Sequence, residues 1–526
     1  MLSRRHVVAS LGSVPAATIL GKYARSELRD IEMGPGSPFS FDHLRAQARA
    51  MAEQSYAEAK AADPFVIDQI TYDAYQQIKY RPDRTIALVG GHDQVQLFHL
   101  GRYAPHPVKM ALVKNGEARE IIYDQSLFDI PSSNPAAQLS HGSGFAGFRL
   151  MEDGLKSDWF SAIGASYFRS GSPFDQYGLS ARGIAVNTAS PMAEEFPRFE
   201  RFWLEDSDGQ TSPLRVYALL NGPSIVGAYR MEIRRVENAK KLLETEMLIE
   251  ADLHLRASVD RVGIAPFSSM FWYGEAPVQQ PKDWRPEIHD SDGLALLTGS
   301  GERIWRPLRN PPHVSTNAFV DTNPRGFGLL QRDRDFEHYL DDGVFYDKRP
   351  SVWVEPVGEW GAGAVHLVEM PTGEETWDNV VAYWCPADFN RAGQNKTFAY
   401  KLSWCDQPPF PDTLARTIGT WIGIGGPPGL SFKERSPNKV KIVIDFEGAC
   451  FEGLDGSSGV ELVLNVSRGR ISNPSSYPVV GERNRWRALF DLDASGIDAV
   501  DLRAYLRRGD RALSETWIYQ LNPLTS

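Results

Sequence analysis

Two hydrophobic periodicities divide the chain. Behind Ser40, a residue suited to cap a helix, Phe41, Leu44, Ala48, Met51, Ala52 and Tyr56 recur at helical spacing, which predicts an amphipathic helix. From about residue 80 onward the texture changes to short apolar runs rich in β-branched and aromatic residues, separated by turn clusters. The runs beginning at Gln94, Arg215 and Glu246 are examples, and such spacing predicts a large antiparallel sandwich rather than alternating βαβ units. Polar residues 25–39, with Gly34-Pro35-Gly36, read as a linker, and Pro and Gly concentrate again over 406–437. Beyond that stretch, runs starting at Lys439, Val460, Trp486, Val500 and Thr516 predict a small immunoglobulin-like sandwich over 438–526, although without a Cys…Trp…Cys pattern. The chain is therefore expected to be all-β, with one sandwich over 36–405, a boundary region over 406–437 and a second sandwich after it.

Composition agrees with this picture and narrows the chemistry. At 526 residues the chain exceeds the size at which one core stops growing. The net charge of −11, with no Lys/Arg-rich tract, argues against a nucleic-acid partner. Cys385, Cys405 and Cys450 form no Cys-x-x-Cys pair, so neither a structural zinc nor a disulfide framework is expected, although one bridge stays open. The 13 Trp suit sugar recognition, since indole faces pack on pyranose CH faces, and equally suit the filling of large β-cores. At the N-terminus, Ser3-Arg4-Arg5 precedes a short apolar stretch, which matches a twin-arginine signal over residues 1–30, although no clean Ala-x-Ala site follows.

Serine-elbow hydrolysis, P-loop phosphoryl transfer, dinucleotide binding and zincin proteolysis lack their motifs. The run His289-Asp290-Ser-Asp292-Gly293 superficially resembles a calcium loop, but the later ligands are missing, so no metal and no cofactor are expected. Three carboxylate clusters sit among aromatics and Gly rather than in solvated charge runs. They are Arg285-Pro-Glu287-Ile-His289-Asp290-Ser-Asp292, Tyr339-Leu-Asp341-Asp342-Gly-Val-Phe-Tyr346-Asp347-Lys-Arg349, and Glu374-Glu375-Thr-Trp377-Asp378-Asn379. Glycoside hydrolysis needs one carboxylic acid for the leaving oxygen and a second group to activate water, and an Asp beside Trp377 could be held protonated by desolvation. Turn carboxylates bonded to their own backbone would give the same pattern.

The blocks Gly144-Phe-Ala-Gly-Phe-Arg, Gly164-Ala-Ser-Tyr-Phe-Arg, Tyr177-Gly-Leu-Ser-Ala-Arg-Gly, Arg285-Pro-Glu-Ile-His-Asp-Ser, Ile304-Trp-Arg-Pro-Leu, Gly326-Phe-Gly-Leu-Leu-Gln-Arg, Gly358-Glu-Trp-Gly and Leu513-Ser-Glu-Thr-Trp-Ile-Tyr-Gln-Leu extend from about residue 40 to the C-terminus. Together they resemble the periplasmic glucan biosynthesis proteins of the OpgG/OpgD (MdoG/MdoD) family, and the twin-arginine start resembles its D branch. The resemblance implies a galactose-mutarotase-like β-sandwich followed by an immunoglobulin-like domain, a periplasmic location and inverting endo-hydrolysis of β-1,2-glucan. It maps the catalytic acid onto Asp378 and a second essential carboxylate onto Asp290. Trp377 departs from the small polar residue expected at that position. Tyr346, Arg349, Trp305, Trp360 and Trp377 are the expected lining of the glucan groove. A non-catalytic factor that presents nascent glucan to membrane-bound enzymes is the alternative. A functional link to an inner-membrane glucan synthase and a homodimeric state are left open.

Overall fold

The helix behind Ser40 forms over Phe41–Ala52, with the Ser40 side chain accepting the His43 N–H at 3.2 Å and Leu44 and Ala48 buried against Trp203, Tyr217 and Val226. It covers the outer face of a large sheet. The structure, a computed structural model, describes residues 31–88, 94–206, 213–276, 283–409, 413–427, 429–436, 439–494 and 498–522. The segment 1–30, read above as an export signal, lies outside the described residues. No described helix is long and apolar enough to cross a membrane.

Two sheets build the first unit. Among the described residues the larger sheet has sixteen strands, of which the first unit supplies the stretch from Ser37–Pro38 through Ile225–Glu237, Leu243–Leu255, Asn395–Cys405 and Ser351–Val357 to Gly293–Leu297 and Arg303–Pro307. The second has eleven strands and includes Ser315–Thr322, Ala362–Glu369, Val380–Pro386 and Val262–Ser269. Their inner faces interdigitate through Phe148 on Phe202 (5.4 Å), Phe267 on Phe327 (5.8 Å) and Phe160 on Trp404 (6.1 Å). A period of two along each strand brings alternate apolar residues to this core. The all-β expectation holds.

The C-terminal unit sets a four-stranded sheet, Arg416–Ile424, Lys439–Glu447, Arg485–Asp493 and Arg470–Pro478, against strands Val460–Val466, Val500–Arg508 and Thr516–Leu521. Two expectations need correction here. Residues 406–437 are not only a linker, because Arg416–Ile424 pairs with Lys439–Glu447, so strands of the second unit begin before residue 438. Within the supposed linker 25–39, Met33 bridges Ile121 and Ser37–Pro38 pairs with Glu117–Ala118 as the edge of the large sheet. In both places backbone pairing overrides a Pro- and Gly-rich composition.

The two units share one sheet. Strand Thr516–Leu521 lies parallel to Arg303–Pro307, with Ile304 opposite Thr516 and Trp305 opposite Trp517. The second core accordingly takes in Trp305, Leu330 and Trp353 from the first unit beside Ile444, Phe490 and Trp517. Arg332 reinforces the seam, bonding Glu515 at 2.6 and 3.1 Å while its guanidinium lies 3.6 Å from the Trp305 ring centre.

Near the seam, Glu369 is wholly buried. It accepts Arg306 Nη2 and Arg309 Nε at 3.0 Å each and the Arg309 backbone N–H at 2.9 Å. Arg309 continues to the backbone oxygen of Gln520, at 2.8 Å, on the last strand. Removing this carboxylate strands two buried guanidinium groups. Glu369→Ala is expected to lower stability by about 3–5 kcal/mol, read as a shift of the urea midpoint. A change below about 1 kcal/mol would show that the trio behaves as a solvated surface pair.

Candidate active site

Asp378 sits on the hairpin loop between strands Ala362–Glu369 and Val380–Pro386, which pair up to Glu369 opposite Val380. The Met370 N–H closes the base on the Asn379 oxygen at 2.8 Å. Two amide side chains hold the ends of the loop. Buried Asn379 accepts the Phe271 N–H and donates to the Phe271 and Met370 oxygens, each at 2.9 Å. Asn310 accepts the Thr372 N–H at 2.9 Å and donates to the Thr372 oxygen at 2.8 Å and the Trp272 oxygen at 3.1 Å. Asp378 is half-buried, and Trp377 beside it is 36% exposed, with its indole N–H on the Glu374 carboxylate.

Asp290 follows the short strand Ile288–His289, which pairs with Phe271–Tyr273. Its N–H donates to the Met270 oxygen at 2.9 Å, its side chain is buried, and Arg349 Nε stands 3.5 Å from its Oδ1. The backbone ties of the two segments thus fall on consecutive residues, Met270 for Asp290 and Phe271 for Asn379. Such neighbours have Cα atoms about 3.8 Å apart.

Tyr346 and Arg349 belong to the same cluster. Tyr346 is buried, donates its hydroxyl to Glu375 at 2.5 Å, and has the Arg349 guanidinium 5.2 Å from its ring centre. Phe345 before it has φ 51°, a left-handed conformation that is costly for a bulky side chain and frequent near functional sites. Two expected groove residues stand elsewhere. Trp360 is a core residue packed on Phe327, Trp384, Phe398 and Tyr400, with its indole N–H on the Ala399 oxygen at 3.1 Å. Trp305 is buried under Arg332 at the seam between the units. Trp360 thus presents no face to this cluster, whereas Trp305 borders the seam cavity beside it.

The residues that organise the cluster include several not singled out by pattern. Arg285 binds Asp283 through Nε and Nη2, both at 2.9 Å, and its Nη1 reaches Asp341 at 2.7 Å and Glu375 at 2.9 Å. Its pKa is raised above the usual guanidinium value, first by the Asp283 hydrogen bond and against the effect of burial. Burial works to raise Asp341, but the N–H groups of Val344 and Gly343 and the Arg285 charge outweigh it and hold the carboxyl below its ordinary range. Gln331 donates to the His289 oxygen at 3.2 Å, the Tyr339 hydroxyl at 3.0 Å and the Tyr346 oxygen at 3.0 Å. Arg285 and Glu375 lay within sequence runs rich in acids, but their pairing is a fact of space.

Next to this cluster a cavity of about 190 Å³ opens at the seam, lined by Glu275, Glu287, Asp292, Trp305, Arg332 and Thr417 among others. Burial, with the nearby charges of Glu287 and Asp292, pushes Glu275 up to about 8. Burial likewise raises Asp292 to about 6, although the charge of His289 opposes it. For His289 burial favours the neutral ring, yet the hydrogen bond to Glu287 and the negative charges of Asp292, Glu287 and Glu275 raise it to about 9. Charged at neutral pH, His289 donates from both nitrogens, to Glu287 at 3.1 Å and Gln331 at 3.0 Å. Among the described residues, Glu287, Asp333 and His338 alone have donor atoms spaced for a metal, within 4.8 Å of one another. Asp333 already holds the His338 ring at 2.6 Å.

These three shifts share one sign. A group whose folded pKa is raised carries more protons folded than unfolded, so stability falls as pH rises from its ordinary value to its folded value. Asp292 and Glu275 act from their ordinary 3.8 and 4.5 up to about 6 and about 8, and His289 from 6.5 to about 9. Stability should therefore decline from mildly acidic to alkaline pH, and His289→Gln should flatten the part between 6.5 and about 9. Urea unfolding across this range checks it, and an unchanged slope in the variant would remove His289 from the effect.

The family model described as "Periplasmic glucan biosynthesis protein, MdoG" matches residues 39–521. The chain is 46% identical to the glucans biosynthesis protein D 2 of Ralstonia nicotianae, over 100% of this chain and 99% of that protein. It is 44% identical to the glucans biosynthesis protein D of Stenotrophomonas maltophilia R551-3, over 98% of this chain and 95% of that protein. It is 43% identical to the probable glucans biosynthesis protein D of Shewanella oneidensis, over 92% of this chain and 89% of that protein. A model match over residues 39–521, with relatives 43–46% identical over nearly the whole chain, places this chain in the MdoG family of periplasmic glucan biosynthesis proteins.

Proposed function

We propose that the protein acts in the periplasm, after export through its twin-arginine segment, as an inverting endo-hydrolase of β-1,2-glucan. The observation that carries the reading is the anchoring of the Asp290 segment and the Asp378 loop on consecutive residues, Met270 and Phe271. Family membership supports glucan as the substrate class. Asp378 gives its carboxyl proton to the glycosidic oxygen as the C1–O bond breaks. A water attacks C1 from the opposite face, and its proton passes to Asp290, directly or through an intervening water or sugar hydroxyl. Arg349 Nε stands 3.5 Å from the Asp290 carboxylate as its counter-charge. Trp377, exposed beside the acid, offers an apolar face to a glucose ring.

The test is incubation with linear β-1,2-glucan, followed by product analysis. Wild type should release shorter β-1,2-glucans whose new reducing ends are first α-anomers by NMR, the outcome of inversion at a β-linkage. Asp378→Asn and Asp290→Asn should each lower kcat by about 10²–10⁴-fold while the fold is kept. A wild-type rate in Asp378→Asn would take that residue out of the mechanism. A wild type that binds the glucan but shortens none of it would leave the presenting role in place of the hydrolase.

A further inference from the structure

We propose that Arg285 is a positioning residue, which locks the Asp378 loop against the segment that carries Asp290 by its bond to Glu375. This inference rests on the hydrolase reading above.

Asn379 and Asn310 fix the ends of the Asp378 loop through backbone bonds, whereas Glu375 fixes its middle through a side chain. Arg285 lies in the run that leads directly into Asp290, so a bond from Arg285 to the loop ties the two segments. Its guanidinium has little freedom, being held in a two-point fork by Asp283 and by Asp341 on the Tyr339–Tyr346 loop. Glu375 Oε2 accepts both Arg285 Nη1, at 2.9 Å, and the Tyr346 hydroxyl, at 2.5 Å. Tyr346 in turn lies against Arg349, which faces Asp290. Two routes therefore run from Glu375 to the Asp290 side, one through Arg285 and its own backbone, the other through Tyr346 and Arg349. The first uses charged hydrogen bonds of 2.7–2.9 Å, which are stiff and strong, and the second closes through a ring contact at 5.2 Å and an ion pair at 3.5 Å. Neither Arg285 nor Glu375 is assigned a proton in the reaction. Their contribution is to hold the acid where the leaving oxygen will be, and an error of about 1 Å there costs on the order of 10²-fold in rate.

Lysine at position 285 keeps the charge but cannot reach three carboxylates with a planar fork. The experiment compares wild type, Arg285→Lys, Glu375→Gln and the double variant on linear β-1,2-glucan. It repeats the comparison on a β-1,2-gluco-oligosaccharide carrying a dinitrophenyl leaving group, which departs without protonation. On glucan each single variant should lose about tenfold or more in kcat with KM within about threefold, and the double variant should be little worse than the poorer single one. On the dinitrophenyl substrate the loss should shrink to under about threefold, since a misplaced acid no longer matters. Circular dichroism checks that each variant is folded, and if Arg285→Lys does not fold, Glu375→Gln decides on the same two substrates. A wild-type kcat on glucan in the folded variants would overturn the positioning role. An equal loss on both substrates would also overturn it, because the defect would then not lie in proton delivery. A wild type inactive on both substrates would instead remove the hydrolase reading, and this inference with it.

Discussion

A carboxylate sealed from water keeps its charge only where the protein supplies a counter-charge, and much of this molecule is arranged around that requirement. Glu369 meets it with Arg306 and Arg309, and Arg309 then reaches the last strand at Gln520. The same residue is the final ladder position before the loop that carries Asp378. One buried ion trio therefore anchors the loop, joins it to the second unit and orients the turn at Asn310. Arg285 among Asp283, Asp341 and Glu375, and His289 among Glu287 and Asp292, repeat the principle nearer the cluster.

Electrostatic demand also separates the two neighbouring acidic regions. Around Arg285 three carboxylates converge on one fixed guanidinium, and Asp283 and Asp341 are held below their ordinary range, a setting for order. Around the seam cavity, carboxylates outnumber cations, and Glu275 and Asp292 hold protons to higher pH. The segment from Arg285 to Asp292 crosses from one region to the other, so Asp290 lies between a rigid charged lattice and a proton-rich cavity.

The sequence made the fold legible where local rules and tertiary packing agree. Ser40 and its apolar spacing mark the helix, and the runs at Lys439, Val460, Val500 and Thr516 are strands because each alternates inward and outward along its length. It misled where pairing partners decide. Arg416–Ile424 is a strand despite Gly419 and Gly423 and the flanking Pro-rich stretches, because Lys439–Glu447 offers it a ladder interrupted only by a register shift between Thr417 and Gly419. Aromatic identity says nothing about which side of a sheet a ring faces. Trp360, expected to line a groove, turns inward onto Tyr400, whereas Trp377 remains outside. The blocks holding Asp290 and Asp378 could be read from the chain, but their anchoring on Met270 and Phe271 could not, since it depends on a backbone bond from Asp290 and on an Asn379 amide that reaches across 108 positions of sequence. Among the described residues Cys385, Cys405 and Cys450 form no disulfide with one another, and packing and ion pairs hold the structure.

The shared sheet has a kinetic consequence. Its closing strand, Thr516–Leu521, pairs with residues met far earlier in the chain, and Thr516 bonds Glu302 across 214 positions. A contact of such sequence separation forms only after a large loss of chain entropy, which slows folding and leaves the seam open while the chain is being made. Trp305, Leu330 and Trp353 remain uncovered until that strand arrives. The first unit therefore does not cover these three side chains by itself, and the seam beside the Arg285 cluster closes only once Thr516–Leu521 has paired with Arg303–Pro307.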